Sequence, residues 1–399
     1  MTGEARYTIR QAEISGRGLA VDWADGHRSQ YHAVWLRHQC ECKTCGTPMT
    51  ALRGVRLHQI PNDISVVSLD TVDGDIHLRW SDDDHQSAYT ARWLRDHCYC
   101  ADERALRKHR PNLWDGSIAG APPLASLTGA EASPKARLAM LEAVRDFGFC
   151  RISDVPTEPG QSHRLIEIVG PQRQTHYGTY TLSKKAAVDN VGDTASALDP
   201  HIDETYRLST IGITVFQVLR PSSNGGASTL VDGFEAVRRL REAWPEDFDL
   251  LTKVPITAHR LDAAQNSGGQ RRWYMSRLPV IKLDHDGDVS GVRLNERQIA
   301  PLDIDADLVE PCYRALRRIF DILYDPELRV TFPLQAGEGL LFDNQRVLHG
   351  RTEYTPEEPP RSVLTSSVDL EEFHSTLRLL QHDVGLDAPP MVLSQGMAV

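Results

Sequence analysis

The sequence predicts a mainly β protein with flanking helices, in which a small β-rich domain precedes a larger β-sandwich or jelly roll. Three observations carry that expectation. The first hundred residues hold an internal repeat, short apolar runs joined by long connections fill the rest, and only a few segments show helical periodicity. The chain has 399 residues, 40% of them hydrophobic and 25% charged. That is enough for a sizeable core in two or three domains, and it is unlike a collagen, a coiled-coil rod or a disordered tail.

The repeat comes first. Trp23, His27, Tyr31 and the run Trp35-Leu36-Arg37 lead to Cys40 and Cys42; Trp80, His85, Tyr89 and the run Trp93-Leu94-Arg95 lead to Cys98 and Cys100. His27 and His85, Tyr31 and Tyr89, and Trp35 and Trp93 are each 58 residues apart, so the register is strict. Each copy reads as two short strands around an acidic turn followed by a short helix. Residues 1–105 are expected to form this domain. Residues 106–125, where periodicity gives way to Pro, Gly and charge, are expected to be a linker.

Residues 126–399 form the second expected domain. Ser133 caps a helix from Pro134 to Phe147 that Gly148 ends, and a short strand follows over 149–152. Strands are expected over 208–220 and, as a pair around Gly337-Glu338-Gly339, over 328–349. Helices are expected over 233–242 and over 311–323, where Tyr313, Leu316, Ile319, Phe320 and Leu323 share a face.

The formal charge of −11 argues against nucleic acid and anionic membranes as partners, while leaving room for a local basic pocket. No run of some 18 apolar residues occurs, and the amino terminus lacks the apolar core of a signal peptide, so a cytoplasmic protein is expected. The seven cysteines are odd in number and five are clustered, which points to a metal before disulfides. Cys40, Cys42 and Cys45 offer three soft ligands within six residues, suited to structural zinc. The fourth ligand is His85, on the turn of the second repeat, or His97. Cys98 and Cys100 lack a third cysteine and read as packing residues.

His201 and Asp203 stand two apart before a β-rich stretch, so on a strand both point to one side. His349, at the end of an apolar run, is the candidate third ligand. Two imidazoles and one carboxylate leave positions open on a ferrous ion for substrate and O2. A His-x-Asp pair alone is a common coincidence among 16 histidines. Its surroundings are more specific: Gly225-Gly226-Ala227-Ser228 lies downstream of it, and Arg351 and Arg361 lie beyond His349. The WxDGH, WLR and CxCxxC strings, GGAS…VDGF over 225–234 and FDNxRxxHGR over 342–351 together resemble the taurine dioxygenase-like Fe(II)/2-oxoglutarate oxygenases. Within them, the chain resembles the γ-butyrobetaine and trimethyllysine hydroxylase branch along nearly its whole length.

That resemblance implies a double-stranded β-helix (jelly-roll) catalytic domain behind a zinc-binding one. Fe(II) would sit on His201, Asp203 and His349, and structural Zn(II) on Cys40, Cys42, Cys45 and His85. Arg361 and Ser228 would meet the distal carboxylate of 2-oxoglutarate. The implied reaction uses O2 to hydroxylate an aliphatic C–H bond of a small zwitterionic substrate, releasing succinate and CO2, in a homodimer. The branch's cage for a trimethylammonium group falls on His176 (with Tyr177 beside it), Tyr180, Asp193 and Ser367, where only Tyr180 keeps a phenol or indole. Asn190 matches an asparagine of the substrate pocket, and Asp193 can hold a cation by charge. Arg297, near Asn295, stands where the branch has an asparagine facing the substrate carboxylate, and an arginine suits a phosphonate. The expected substrate is 2-(trimethylammonio)ethylphosphonate, hydroxylated next to phosphorus, with γ-butyrobetaine or trimethyllysine as the alternative. A zinc-bearing binding protein and a zinc hydrolase are the alternatives of other classes.

Overall fold

The computed structural model describes residues 3–46, 54–82, 84–158, 160–174, 180–183, 192, 194–262, 271–386 and 391–399. The chain divides into two compact units, Met1–Lys108 with Ala388–Met391, and His109–Asp387 with Val392–Val399.

In the first unit, β1 (Ile9–Ser15), β2 (Gly18–Trp23) and β3 (Arg28–Tyr31) form an antiparallel sheet, followed by a helix over Ala33–His38. The second copy repeats this with β4 (Val66–Val72), β5 (Asp75–Trp80), β6 (Gln86–Tyr89) and a helix over Ala91–Asp96. Each copy therefore has three strands where the sequence pattern shows two. Ile14, Val67 and Val72 are exposed, so the outer strands lack a clean apolar alternation. The copies interlock reciprocally. The Tyr31 hydroxyl donates to the Leu94 carbonyl at 2.6 Å, and the Tyr89 hydroxyl donates to the Leu36 carbonyl at 2.5 Å. The Trp23 and Trp80 indoles donate to Ser29 and Ser87, both at 2.8 Å, which lets two large side chains be buried with no orphaned N–H. Residues of both copies share one apolar cluster.

The second unit contains β7 (Leu124–Ser126), β8 (Phe149–Ser153), β9 (Tyr180–Leu182), β10 (Leu198–His201), β11 (Ile213–Arg220) and β12 (Ser228–Asp232). Two hairpins follow, β13 (Ile256–Asp262) with β14 (Arg272–Leu278), and β15 (Ile281–Leu283) with β16 (Val289–Val292). Then come β17 (Arg329–Phe332), β18 (Gly339–Asp343), β19 (Val347–Arg351) and β20 (Ser362–Val368). A six-stranded sheet runs β7-β8-β18-β11-β20-β9 and a four-stranded sheet runs β10-β19-β12-β17. Phe216, Phe342 and Val363 of the first meet Leu230, Phe332 and Val347 of the second in one core, as a jelly roll requires. Helices over Gly233–Ala243, Pro245–Lys253 and Val309–Tyr324 close a further apolar cluster with β15 and β16.

The helix Pro134–Phe147 has its expected ends: Ser133 Oγ accepts from the Ala136 N–H, and Gly148 turns left-handed at φ 78°. Three expectations change. The strand expected from residue 208 starts at Ile213, since Leu208 is 78% exposed and belongs to a loop. The pair expected over 328–349 is three strands, because the turn after Asp343 carries the chain from one sheet to the other. Within the stretch read as a linker, Trp114 is buried in the sandwich core, its indole N–H donating to the Phe147 carbonyl at 2.6 Å. Pro and Gly there mark an irregular path over the sandwich.

Candidate metal centres and binding cavity

Strand register brings the two histidines together. His201 on β10 lies directly opposite His349 on β19, and His349 is flanked on its other side by Leu230 of β12. The Nε2 atoms of His201 and His349 each stand 3.5 Å from a different carboxylate oxygen of Asp203. The three side chains thus offer one ligand atom each to a common point. His201 Nδ1 lies 2.8 Å from the Asp199 carbonyl, which fixes its proton there and leaves Nε2 free for a metal. Burial and the neighbouring His349 push the His201 pKa down, so the imidazole is neutral at pH 7. Burial opposes ionisation of Asp203, but the two imidazoles outweigh it and hold the carboxyl well below the usual range. A neutral imidazole at His201 and an anionic carboxylate at Asp203 are donors of the kind a ferrous ion takes.

The loop carrying Asp203 is clamped from two sides. The fully buried Asn344 accepts from the Asp203 N–H at 2.9 Å and donates to its carbonyl at 3.1 Å. Asn295 donates to the Ile202 carbonyl at 3.0 Å. Sequence reasoning overlooked Asn344, although it sits inside the FDNxRxxHGR string, because an amide acting only on backbone has no chemical signature of its own.

The triad lines a cavity of about 320 Å³ that also holds Ser228, Asn295, Arg297, Arg351, Arg361 and Ser367. Arg361 is the feature that most demands a ligand. It is 8% exposed, its Nη1 has no hydrogen-bond partner, and no carboxylate pairs with it among the described residues. Burial and the nearby Arg351 lower its pKa to about 10, so it remains a cation. A buried, unpaired guanidinium is costly unless an anion arrives to meet it. Room for it is made by Gly226, where a Cβ would stand 3.2 Å from Arg361 Nε. Arg351 is occupied otherwise, donating to the Thr194 and Ser196 carbonyls, both at 2.8 Å.

Arg297 is also at the cavity but is solvent-exposed, on a short turn of helix with no buried residue. Asn295 keeps its Oδ1 unpartnered among the described residues. Ser367 lies opposite Thr214 in the β11–β20 pair. Tyr180 pairs through its backbone with Thr365. His176, Tyr177, Asn190 and Asp193 lie outside the described residues, as does the Tyr180 side chain.

In the first unit, His85 is the residue brought to the thiols. Its Nε2 stands 3.3, 3.7 and 3.5 Å from the sulfurs of Cys40, Cys42 and Cys45. His97 is turned away, stacked on Trp93 with its Nδ1 2.8 Å from the Trp93 carbonyl. Burial and the neighbouring thiols push Cys45 up to about 12, so the cluster is fully ionised only around a cation. Its donors and spacing fit zinc. Cys98 and Cys100 do more than pack: with His27 they form another convergent group.

The comparisons agree with this geometry. The family described as Taurine catabolism dioxygenase TauD, TfdA matches residues 119–366, and Gamma-butyrobetaine hydroxylase-like, N-terminal matches residues 10–95. A gamma-butyrobetaine dioxygenase of Pseudomonas sp. (strain AK-1) is 32% identical over 94% of this chain and 96% of its own. A trimethyllysine dioxygenase of Meyerozyma guilliermondii is 28% identical over the same shares. The human gamma-butyrobetaine dioxygenase is 27% identical over 94% of this chain and 98% of its own.

Proposed function

We propose, for a chain that belongs to the TauD, TfdA family and is an Fe(II)/2-oxoglutarate-dependent dioxygenase of the γ-butyrobetaine and trimethyllysine type, that its substrate is γ-butyrobetaine or a close trimethylammonium carboxylate. One observation carries the reading: a two-histidine, one-carboxylate cluster and an unpaired buried guanidinium share a single cavity. Bound iron with 2-oxoglutarate would supply the oxidising power for C–H hydroxylation. The chain's own contribution is placement. His201, Asp203 and His349 would hold the ion from one side, Arg361 and Ser228 would fix the far carboxylate of the oxo-acid, and the two sheets would screen the site from water. Tyr180 and Asp193 are retained, on the sequence alone, as residues meeting the ammonium group. Cys40, Cys42, Cys45 and His85 would hold a zinc ion with a structural role.

The phosphonate expected from Arg297 has weaker support than the carboxylate. The relatives named above are dioxygenases of γ-butyrobetaine and trimethyllysine. An exposed guanidinium is screened by water and salt and discriminates little between one negative charge and two. The test is succinate release and product mass for γ-butyrobetaine, trimethyllysine and 2-(trimethylammonio)ethylphosphonate. Coupled turnover is expected to be best with γ-butyrobetaine, with a product one oxygen heavier. Higher kcat/KM for the phosphonate, lost selectively in Arg297→Ala, would overturn the carboxylate assignment.

A further inference from the structure

The thiol and imidazole groups of the first unit occur twice. The first set takes cysteines from the first copy of the repeat and its histidine, His85, from the second. The second set reverses this, taking Cys98 and Cys100 from the second copy and His27 from the first. His27 Nε2 stands 3.4 Å from the Cys98 sulfur and 3.8 Å from that of Cys100. On a zinc tetrahedron, with Zn–S about 2.3 Å and Zn–N about 2.0–2.1 Å, neighbouring ligand atoms are separated by roughly 3.5–3.8 Å. Both imidazole–sulfur distances fall close to that spacing, and all three ligand atoms lie within 4.8 Å of one another. The group's distances also match those of the four-ligand cluster, 3.3–3.7 Å.

The two sets differ at one position. Glu103 stands 58 residues after Cys45, where strict repetition would place a third cysteine. Its carboxylate is turned to Arg95 at 2.5 Å and Arg6 at 2.8 Å, and is almost fully buried there. Its backbone N–H donates to the Cys100 sulfur at 3.4 Å, which fixes where that sulfur stands. Arg95 also pairs with Asp25 at 3.0 Å, so its charge is balanced away from the sulfurs. The counterpart of Arg95 in the first copy, Arg37, pairs with Asp82 at 3.1 Å but also donates to Cys45 at 3.5 Å. Three soft donors converge, one is fully buried, and the flanking charges are already satisfied.

We propose that His27, Cys98 and Cys100 form a second metal site, taking a zinc ion with a solvent molecule in the fourth position. With two thiolates where the other site has three, it is the weaker of the two, and it is reached by exchange after the four-ligand site has filled. The inference shares with the four-ligand zinc reading only its account of the repeat.

The test counts thiol-bound zinc in the full-length wild-type chain, grown with added zinc and dialysed without chelator. A mercurial reagent is titrated against the thiols and the zinc released is read with a metallochromic dye. About two ions per chain are expected, falling to about one in Cys98→Ser/Cys100→Ser with unchanged far-ultraviolet circular dichroism. Dialysis of the wild type against EDTA is expected to remove one of the two first. Release of a single ion from the wild type overturns the second site, and that result needs no variant to fold. If that single ion is then missing from Cys40→Ser/Cys42→Ser, the four-ligand site stands while the three-ligand site falls. No ion at all overturns both.

Discussion

Arg361 shows how one side chain can declare a ligand. A guanidinium that is buried, cationic and unpaired among the described residues destabilises the protein until a carboxylate meets it, so its fixed position is best explained by what binds there. Replacing it with the neutral Arg361→Gln should raise the KM for 2-oxoglutarate on the order of tenfold to a hundredfold, the loss of one charged hydrogen-bonded pair. Metal binding by the triad should be unaffected, and steady-state kinetics together with metal titration separate the two. An unchanged KM would mean that Arg361 serves the fold and not the cosubstrate. Arg351 is the useful contrast, being equally buried yet engaged by backbone carbonyls. Nothing in the sequence ranks one above the other except distance from His349.

At the scale of elements, the helix Leu370–Asp383 packs on the helix Pro134–Phe147 and buries His374. Burial, helped by nearby Arg378, Arg145 and His109, lowers the His374 pKa to about 3. The unfolded chain would bind that proton near pH 6.5, so acid favours unfolding. The stability is complete above about pH 6.5 and is lost progressively as pH falls toward 3. His374→Leu should therefore flatten the decline in melting temperature between pH 7 and pH 5, and parallel curves for the two proteins would refute the assignment. This helix was absent from the sequence expectations, as was Pro245–Lys253. Charged residues interrupt both apolar faces, and His374 and Asp247 are buried polar residues on the inner side, so the periodicity is blurred where it would otherwise be read. The helix Pro134–Phe147 was legible because its ends carry their own signals, a capping serine and a left-handed glycine.

For the whole catalytic unit, the most legible strings turn out to be clamps as much as ligands. Asp232 from VDGF and Arg346 from FDNQR form a fully buried ion pair at 2.8 Å, and Arg346 also donates to the Asp146 and Asn112 carbonyls. The pair ties β12 to the turn between the two sheets and to the segment that carries Trp114, whose N–H donates to Asp232 at 3.2 Å. Arg346→Met leaves Asp232 buried without its partner and should cost about 3–5 kcal/mol, seen as a lower denaturation midpoint. A loss below about 1 kcal/mol would show that the pair is dispensable. The triad was readable from sequence because metal chemistry demands those residue types. The cage positions were not equally readable, because aromatic and charged groups can each hold a cation and the sequence shows a mixture of the two.

β10 is an edge strand with only two registered partners, Leu198 opposite Arg351 and His201 opposite His349, and it ends on the residue that would bind iron. An ion held by both histidines would then fasten the border of the sheet to its interior, as a latch fastens a door panel to its frame. Amide exchange over residues 198–203 should slow when Mn(II) is added, and Asp203→Ala should remove both that protection and all turnover. Loading the metal would thus finish the last seam of the sandwich as well as equip it.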